Sequence, residues 1–204
     1  MWFYDANNLG GTALRLYCPI SLSSASEETL PTGGLILACN HESYLDPWLL
    51  GIVFPRRIRF LITHEWYFRS RLWTSFFCAL GTIPVNPAKP LPAIKIARDC
   101  LRNGDVVGIF PEGRISWSGE LLPFQKGLEL LSETADSPVV PVALVGARDV
   151  LPANCRLPRP KRVRVIIGSA IRSTDIANNC QKTCFTDFVR NEVSRLRLGL
   201  SPTC

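Results

Sequence analysis

Leu35-Ile36-Leu37-Ala38-Cys39-Asn40-His41-Glu42-Ser43-Tyr44-Leu45-Asp46-Pro47 passes abruptly from an apolar run into a dense polar one. Apolar residues in unbroken succession from Leu35 to Cys39 suit a strand covered on both faces, as in the interior of a parallel sheet. Pro47 suits the first turn of a helix, which places Asp46 near the N-cap of a helix predicted over Trp48 to Phe54. A buried strand feeding a helix within a few residues is the building unit of an α/β fold, and ligands gather at the carboxyl ends of such strands. His41 stands at that end and is one of two histidines in the chain. Its imidazole is suited to take a proton near neutral pH, and the Asp46 carboxylate can orient it if a turn lies between them. A satisfied polar pair at a strand end has the same signature, so both readings stand at this point.

Working outward, the same rhythm repeats. Strands are predicted at Ile58 to Ile62, Asp105 to Phe110, Val139 to Val145 and Val163 to Ile167, with a short extended piece within Gly81 to Asn86. Helices are predicted over about Glu65 to Leu80, through Ile94, Ala97 and Leu101 up to the Asn103-Gly104 stop, and over about Gln125 to Thr134. A last helix carries Phe185, Phe188, Val189, Val193 and Leu196 on one face. The alternation predicts a single-domain αβα sandwich around a mixed, largely parallel sheet. Residues 1–30 read as an interfacial helix, about Leu9 to Tyr17, followed by a Ser-rich loop over Ser21 to Ser26, and residues 31–204 as the core.

A chain of 204 residues, 47% hydrophobic and 20% charged, can bury one sizeable core without metal or disulfide staples. Its eight cysteines show no C-x-x-C pair and no zinc-ligand spacing, so no metal or cofactor is expected. The amino terminus lacks the pattern of a signal peptide, which predicts a cytoplasmic protein with reduced thiols. A net charge of +6 points to an anionic partner. Arg56, Arg57, Arg59, Arg69 and Arg71 are interleaved with Trp66, Tyr67, Phe68, Trp73, Phe76 and Phe77, a mixture that suits a membrane interface as well as a core helix with a solvated face. The uncharged run Leu72 to Ala88 is broken by polar residues and prolines, so a membrane partner is met at its surface rather than crossed, and for a cytoplasmic protein that means peripherally on the inner face. No G-x-S-x-G elbow, P-loop or G-x-G-x-x-G follows a strand, and no nucleic-acid recognition element is present.

Phe110-Pro111-Glu112-Gly113-Arg114 closes the third predicted strand in a tight turn, and Val140-Pro141-Val142-Ala143 lies in the fourth. With the N-H-x-x-x-x-D box at Asn40, His41 and Asp46 and with Gly81-Thr82-Ile83-Pro84-Val85, these segments resemble, in order, the four blocks of the glycerolipid acyltransferases typified by lysophosphatidic acid acyltransferase. The resemblance spans about Leu35 to Gly168. It implies transfer of a fatty acyl group from acyl-CoA or acyl-carrier protein, as co-substrate, to the hydroxyl of a lysophospholipid, with 1-acyl-glycerol-3-phosphate the family's typical acceptor. His41 would act as general base with Asp46 holding it, while Asn40, Glu112, Gly113, Arg114, Gly81 and Pro141 would shape or bind substrate. Two departures bear on the acceptor. Asn86-Pro87 stands where the family carries an arginine for the acceptor's phosphate, and Arg114 comes one position early, as in lysophosphatidylethanolamine-type enzymes. Glycerol 3-phosphate, lysophosphatidylethanolamine or a non-phosphate acceptor, and a non-catalytic membrane-binding protein of the same fold, are the alternatives. His64 reads as a surface or structural residue, and Arg159, Lys161, Arg162 and Arg164 as a solvated basic edge that could also meet lipid phosphate or carrier protein.

Overall fold

The Leu35–Cys39 run forms β2, buried at every residue, and its alternation divides the molecule into two cores. Leu35, Leu37 and Cys39 face one layer with Leu49, Leu50 and Phe54. Ile36 and Ala38 face the other with Ala97, Leu101, Leu131, Val189 and Val193. A strand with apolar side chains on both sides can be satisfied only between two helical layers. The computed structural model describes residues 15–25, 29–152, 155, 157–179 and 184–200.

In chain order the elements are β1 (Ile20–Ser24), β2, α1 (Asp46–Val53), β3 (Ile58–Thr63), α2 (His64–Tyr67), α3 (Arg71–Leu80), β4 (Ile83–Val85), α4 (Leu91–Arg102) and β5 (Val106–Ile109). They continue with α5 (Gly127–Ala135), β6 (Val139–Val145), α6 (Ala147–Val150), β7 (Val163–Ile167), α7 (Ser173–Asn179) and α8 (Phe185–Leu198). One sheet runs in the order β1-β7-β6-β2-β5-β3-β4. All pairings are parallel except β6 with β7, so the sheet is mixed and largely parallel. The fold class is therefore the αβα sandwich that the hydrophobic pattern indicates. Because β2 and β5 are parallel neighbours, the loops that follow them, 40–45 and 110–126, lie side by side at one end of the sheet.

Several local expectations are corrected. The Ser-rich stretch is not a loop from its start: Ile20–Ser24 is an edge strand paired in parallel with β7. Four of its five side chains are exposed, so it lacks the apolar pattern that marks a strand and is held by backbone pairing. The helix expected over Leu9 to Tyr17 lies outside the described residues except for 15–17, which are helical. The aromatic helix is two, because Ser70 breaks it and caps α3 by accepting from Trp73 N. The short helices α6 and α7 carry too few residues for periodicity to reveal them. Asp46 is the first helical residue after an N-cap at Leu45 and makes no side-chain cap, since its carboxylate is engaged elsewhere.

Candidate active site

Asp46 is fully buried, and its Oδ2 accepts three hydrogen bonds. Two come from the backbone N–H groups of Glu42, at 2.7 Å, and Ser43, at 2.8 Å. The third partner is His41 Nδ1 at 2.8 Å. The five-residue spacing works because these bonds curl the chain into a turn that brings the carboxylate back under the imidazole. Asp46 Oδ1 is buried with no hydrogen-bond partner among the described residues. With Nδ1 donating to the carboxylate, Nε2 is left as an acceptor on the ring edge remote from Asp46. The ring also stacks on Phe110, centroids 4.1 Å apart, and Phe110 stacks on Phe60. That column passes over Gly108, where a methyl group would collide with Ile58 and Phe60.

The neighbours of the pair hold the scaffold. Asn40 is fully buried; its Oδ1 accepts from Leu144 N at 2.8 Å and its Nδ2 donates to Leu144 O at 2.9 Å, joining the end of β2 to β6 like one more rung of the ladder. Glu112 is buried behind His41, accepting from His41 N at 2.8 Å through Oε1 and from Leu122 N at 2.9 Å through Oε2. Burial pushes the Glu112 carboxyl above the usual glutamate range, opposed by those two N–H groups and by His41 and Arg197. Ser116 N donates to His41 O at 2.7 Å, closing the second loop over the first.

His41 opens onto a cleft of about 1150 Å³. Its walls are largely apolar, with Ile94, Ile109, Leu128 and Leu131 from the sheet and α4–α5 side and Trp73, Phe76, Phe77 and Leu80 from α3. Tyr44, Trp66 and Trp117 form an aromatic group on the cleft, Tyr44 lying 5.9 Å and 5.5 Å from the other two. Arg114 is the only lysine or arginine among the lining residues described.

The sequence-derived site residues therefore fall into three groups. His41, Gly113 and Arg114 line the cleft. Asn40, Asp46 and Glu112 stand directly behind it, their polar atoms turned to the backbone and to the His41 ring. Gly81 and Pro141 do not line it, although Leu80 and Thr82 on either side of Gly81 do. Gly81 ends α3 in the left-handed conformation, against the guanidinium groups of Arg57 and Arg59. Pro141 sits in β6 opposite Ala38 of β2, and its carbonyl accepts from Gly168 N at 2.9 Å, so it takes part in the sheet through its carbonyl alone. Asn86, at the place of the absent arginine, accepts from Ala88 N and stabilises a turn. His64 is exposed and packs on Phe68.

Sequence reasoning passed over Phe110 as a ring partner, and over Glu42, Arg190 and Arg197. Glu42 Oε1 accepts from Asn40 Nδ2 at 3.2 Å and from the Arg197 guanidinium. Burial raises the Glu42 carboxyl above its ordinary range, and Arg197 is the largest opposing influence. The available signal was the placement of Arg190 and Arg197 two turns apart on the last helix, a spacing that puts both on one face.

Fold and site together define an α/β protein with a carboxylate-held imidazole opening onto an apolar cleft. The family model described as Acyltransferase matches residues 22–145, and the chain belongs to that acyltransferase family. It is 28% identical over 156 residues to the 1-acyl-sn-glycerol-3-phosphate acyltransferase of Bacillus subtilis (strain 168), covering 75% of this chain and 75% of that protein. With the 1-acyl-sn-glycerol-3-phosphate acyltransferase of Saccharomyces cerevisiae it shares 30% identity over 138 residues, 64% of this chain and 45% of that protein. The crystal structure of the 1-acyl-sn-glycerophosphate (LPA) acyltransferase PlsC from Thermotoga maritima matches with a TM-score of 0.73 at 20% identity, over 95% of this chain and 78% of that one. At that identity the likeness is one of fold.

Proposed function

We propose that the protein transfers a fatty acyl group from an acyl thioester, acyl-CoA or acyl-carrier protein, to the hydroxyl of a lysophospholipid, with His41 as general base. The observation that carries this reading is the 2.8 Å contact of His41 Nδ1 with buried Asp46 Oδ2 on the wall of an apolar cleft. His41 Nε2 takes the proton of the acceptor hydroxyl as its oxygen attacks the thioester carbonyl carbon. The C–S bond then breaks, and the proton passes to the departing thiolate. A thioester is already activated, so no covalent acyl-enzyme is needed, and base catalysis of this kind contributes about 10² to 10⁴ in rate. Asp46, with one buried oxygen unpaired among the described residues, gains a full counter-charge only when His41 is protonated, an interaction that grows toward the transition state. The apolar walls suit the acyl chains, and Glu112 acts by holding the His41 backbone and the second loop.

The acceptor we propose is 1-acyl-glycerol-3-phosphate, the acceptor named for the Bacillus and yeast relatives, with Arg114 meeting its phosphate from the cleft wall. The chain spans three-quarters of the Bacillus relative and under half of the yeast one. Asn86 in its turn, where an arginine would stand, favours a second reading in which the acceptor carries a different or no phosphate, such as lysophosphatidylethanolamine. Both acceptors are lipids, which supports our reading that the protein works peripherally at a membrane, on its inner face. No helix among the described residues is long and apolar enough to cross a membrane. The test is an assay on vesicles with labelled acyl-CoA and a panel of lysolipids. His41→Ala should lower turnover by about 10² to 10⁴ with the fold intact by circular dichroism. Wild-type turnover by that variant would remove the mechanism.

A further inference from the structure

The side of the catalytic turn that faces away from the cleft is braced by α8, which lies beyond the residues of the family match. Because Asp46 Oδ2 accepts from Glu42 N, the Glu42 backbone is part of the turn that carries His41. The Glu42 carboxylate is buried, does not line the cleft, and is held by Arg197 and Asn40. Arg197 Nη2 also donates to Gly119 O at 2.7 Å, next to Ser118 on the cleft wall. One guanidinium thereby ties the loop after β2 to the loop after β5. On the same face of the helix, Arg190 donates to Leu122 O at 3.0 Å and to Leu121 O at 2.7 Å. Leu122 N is the group that Glu112 grips with the oxygen not used for His41 N. Two supports of the histidine's turn, one through Glu42 and one through Glu112 and Leu122, thus lead back to α8.

Charge makes the Arg197 contact more than a clip. Glu42, Asp46 and Glu112 are three buried carboxylates gathered at one turn. Among the described residues, Arg197 is the only lysine or arginine that forms an ion pair with any of them. A buried charge that loses its partner either takes up a proton or swings to water. Both outcomes move the segment that Asp46 and His41 share.

We infer that Arg197 is a positioning residue for acyl transfer: through Glu42 and Gly119 it fixes the turn that aims His41 at the acceptor hydroxyl. The inference rests on His41 being the base. Arg197 does not line the cleft, so its loss acts on the chemical step and not on substrate capture. Glu42 faces Asn40 and Asp46 from its own loop, Cys39 from β2, Glu112 from the loop after β5 and Arg197 from α8. With Arg197 removed, the Glu42 proton is held still more tightly. Lowering the pH then neutralises Glu42 and eases its repulsion from Asp46, while raising the pH restores the repulsion. The ratio of variant to wild-type kcat therefore rises as pH falls.

The experiment compares full-length wild type, Arg197→Met, Arg197→Lys and the double variant Glu42→Gln/Arg197→Met on lysolipid vesicles with acyl-CoA. Arg197→Met should lose about 10²-fold in kcat with both KM values within about threefold, and the deficit should shrink in acid. The double variant should recover much of the loss and show no such pH trend. Arg197→Lys keeps the charge but cannot span both Glu42 and Gly119; it should lie about tenfold below wild type, and it decides the matter if the methionine variant does not fold. Unchanged kcat in the single variants, an effect confined to KM, or a double variant no better than Arg197→Met would each overturn the inference. A second readout needs no turnover. The chain has two histidines, so 15N spectra of the imidazoles resolve His41, which should hold its Nδ1 proton in the wild type and become a tautomer mixture in Arg197→Met. Tautomer mixing without any acyl transfer by the wild type would remove the proposed function alone. Acyl transfer with both kcat and tautomer untouched by the substitution would remove the positioning role alone.

Discussion

The two sides of the cleft are built on different terms. On the polar side Asn40, Glu42, Asp46 and Glu112 are each buried, and their side chains are assigned to named partners at 2.7–3.2 Å. On the aromatic side Tyr44, Trp66, Trp73 and Trp117 remain 41–54% exposed; Tyr44 packs against Trp66 and Trp117, and Trp73 stacks on Phe77. Directional bonds fix a proton-transfer geometry, and area contacts accept a flexible chain without fixing it. A substitution on the polar side should therefore act on kcat, and one on the aromatic side on lipid affinity.

The largest effect short of removing His41 is expected at Asp46→Asn. The amide oxygen can still serve the two backbone N–H groups, but the charge that stabilises an imidazolium is gone. We expect kcat to fall by about 10² to 10⁴ with little change in KM, measured by initial rates at saturating lysolipid. Arg114, the proposed phosphate contact, lies between the two regimes, a cation on a largely apolar wall. Arg114→Ala should raise the acceptor KM by about 10- to 100-fold, as for a lost hydrogen bond to a charged group, and leave the donor KM near its wild-type value. Equal changes in the two constants would remove the phosphate contact and with it the preferred acceptor. The smallest effect belongs to the aromatic side. Leu72, 81% exposed at the start of α3, stands beside Arg71 and near Arg69, whose guanidinium lies over Trp66 at 4.8 Å. If this face meets lipid, Leu72→Ser should weaken sedimentation with anionic vesicles by about 1 kcal/mol, roughly fivefold, while kcat at saturating lipid stays unchanged. A kcat effect there would break the division between the two sides.

Periodicity carried the core of the fold because β2, β6, α4 and α8 bury continuous apolar faces, which leave a trace in the order of residues. β1 left none, since an exposed edge strand is stabilised by main-chain pairing that any side chain permits. The His41–Asp46 spacing was legible because both ends of that contact lie within one turn of chain. Asn40 and Glu112 could be singled out from their motifs, but their partners could not, since these are backbone atoms of Leu144, His41 and Leu122 brought close by sheet order. The Arg197–Glu42 pair joins residues 155 positions apart, and no local pattern encodes a contact of that span.

That span has a consequence for how the molecule comes into being. Long-range pairings form slowly, because the chain must close a large loop before the contact returns any free energy. A chain emerging from the ribosome displays its His41 turn long before α8 exists to brace it. In a refolding experiment the helices and the β2–β5 ladder should therefore appear before turnover does, and catalytic competence should follow the docking of the last helix.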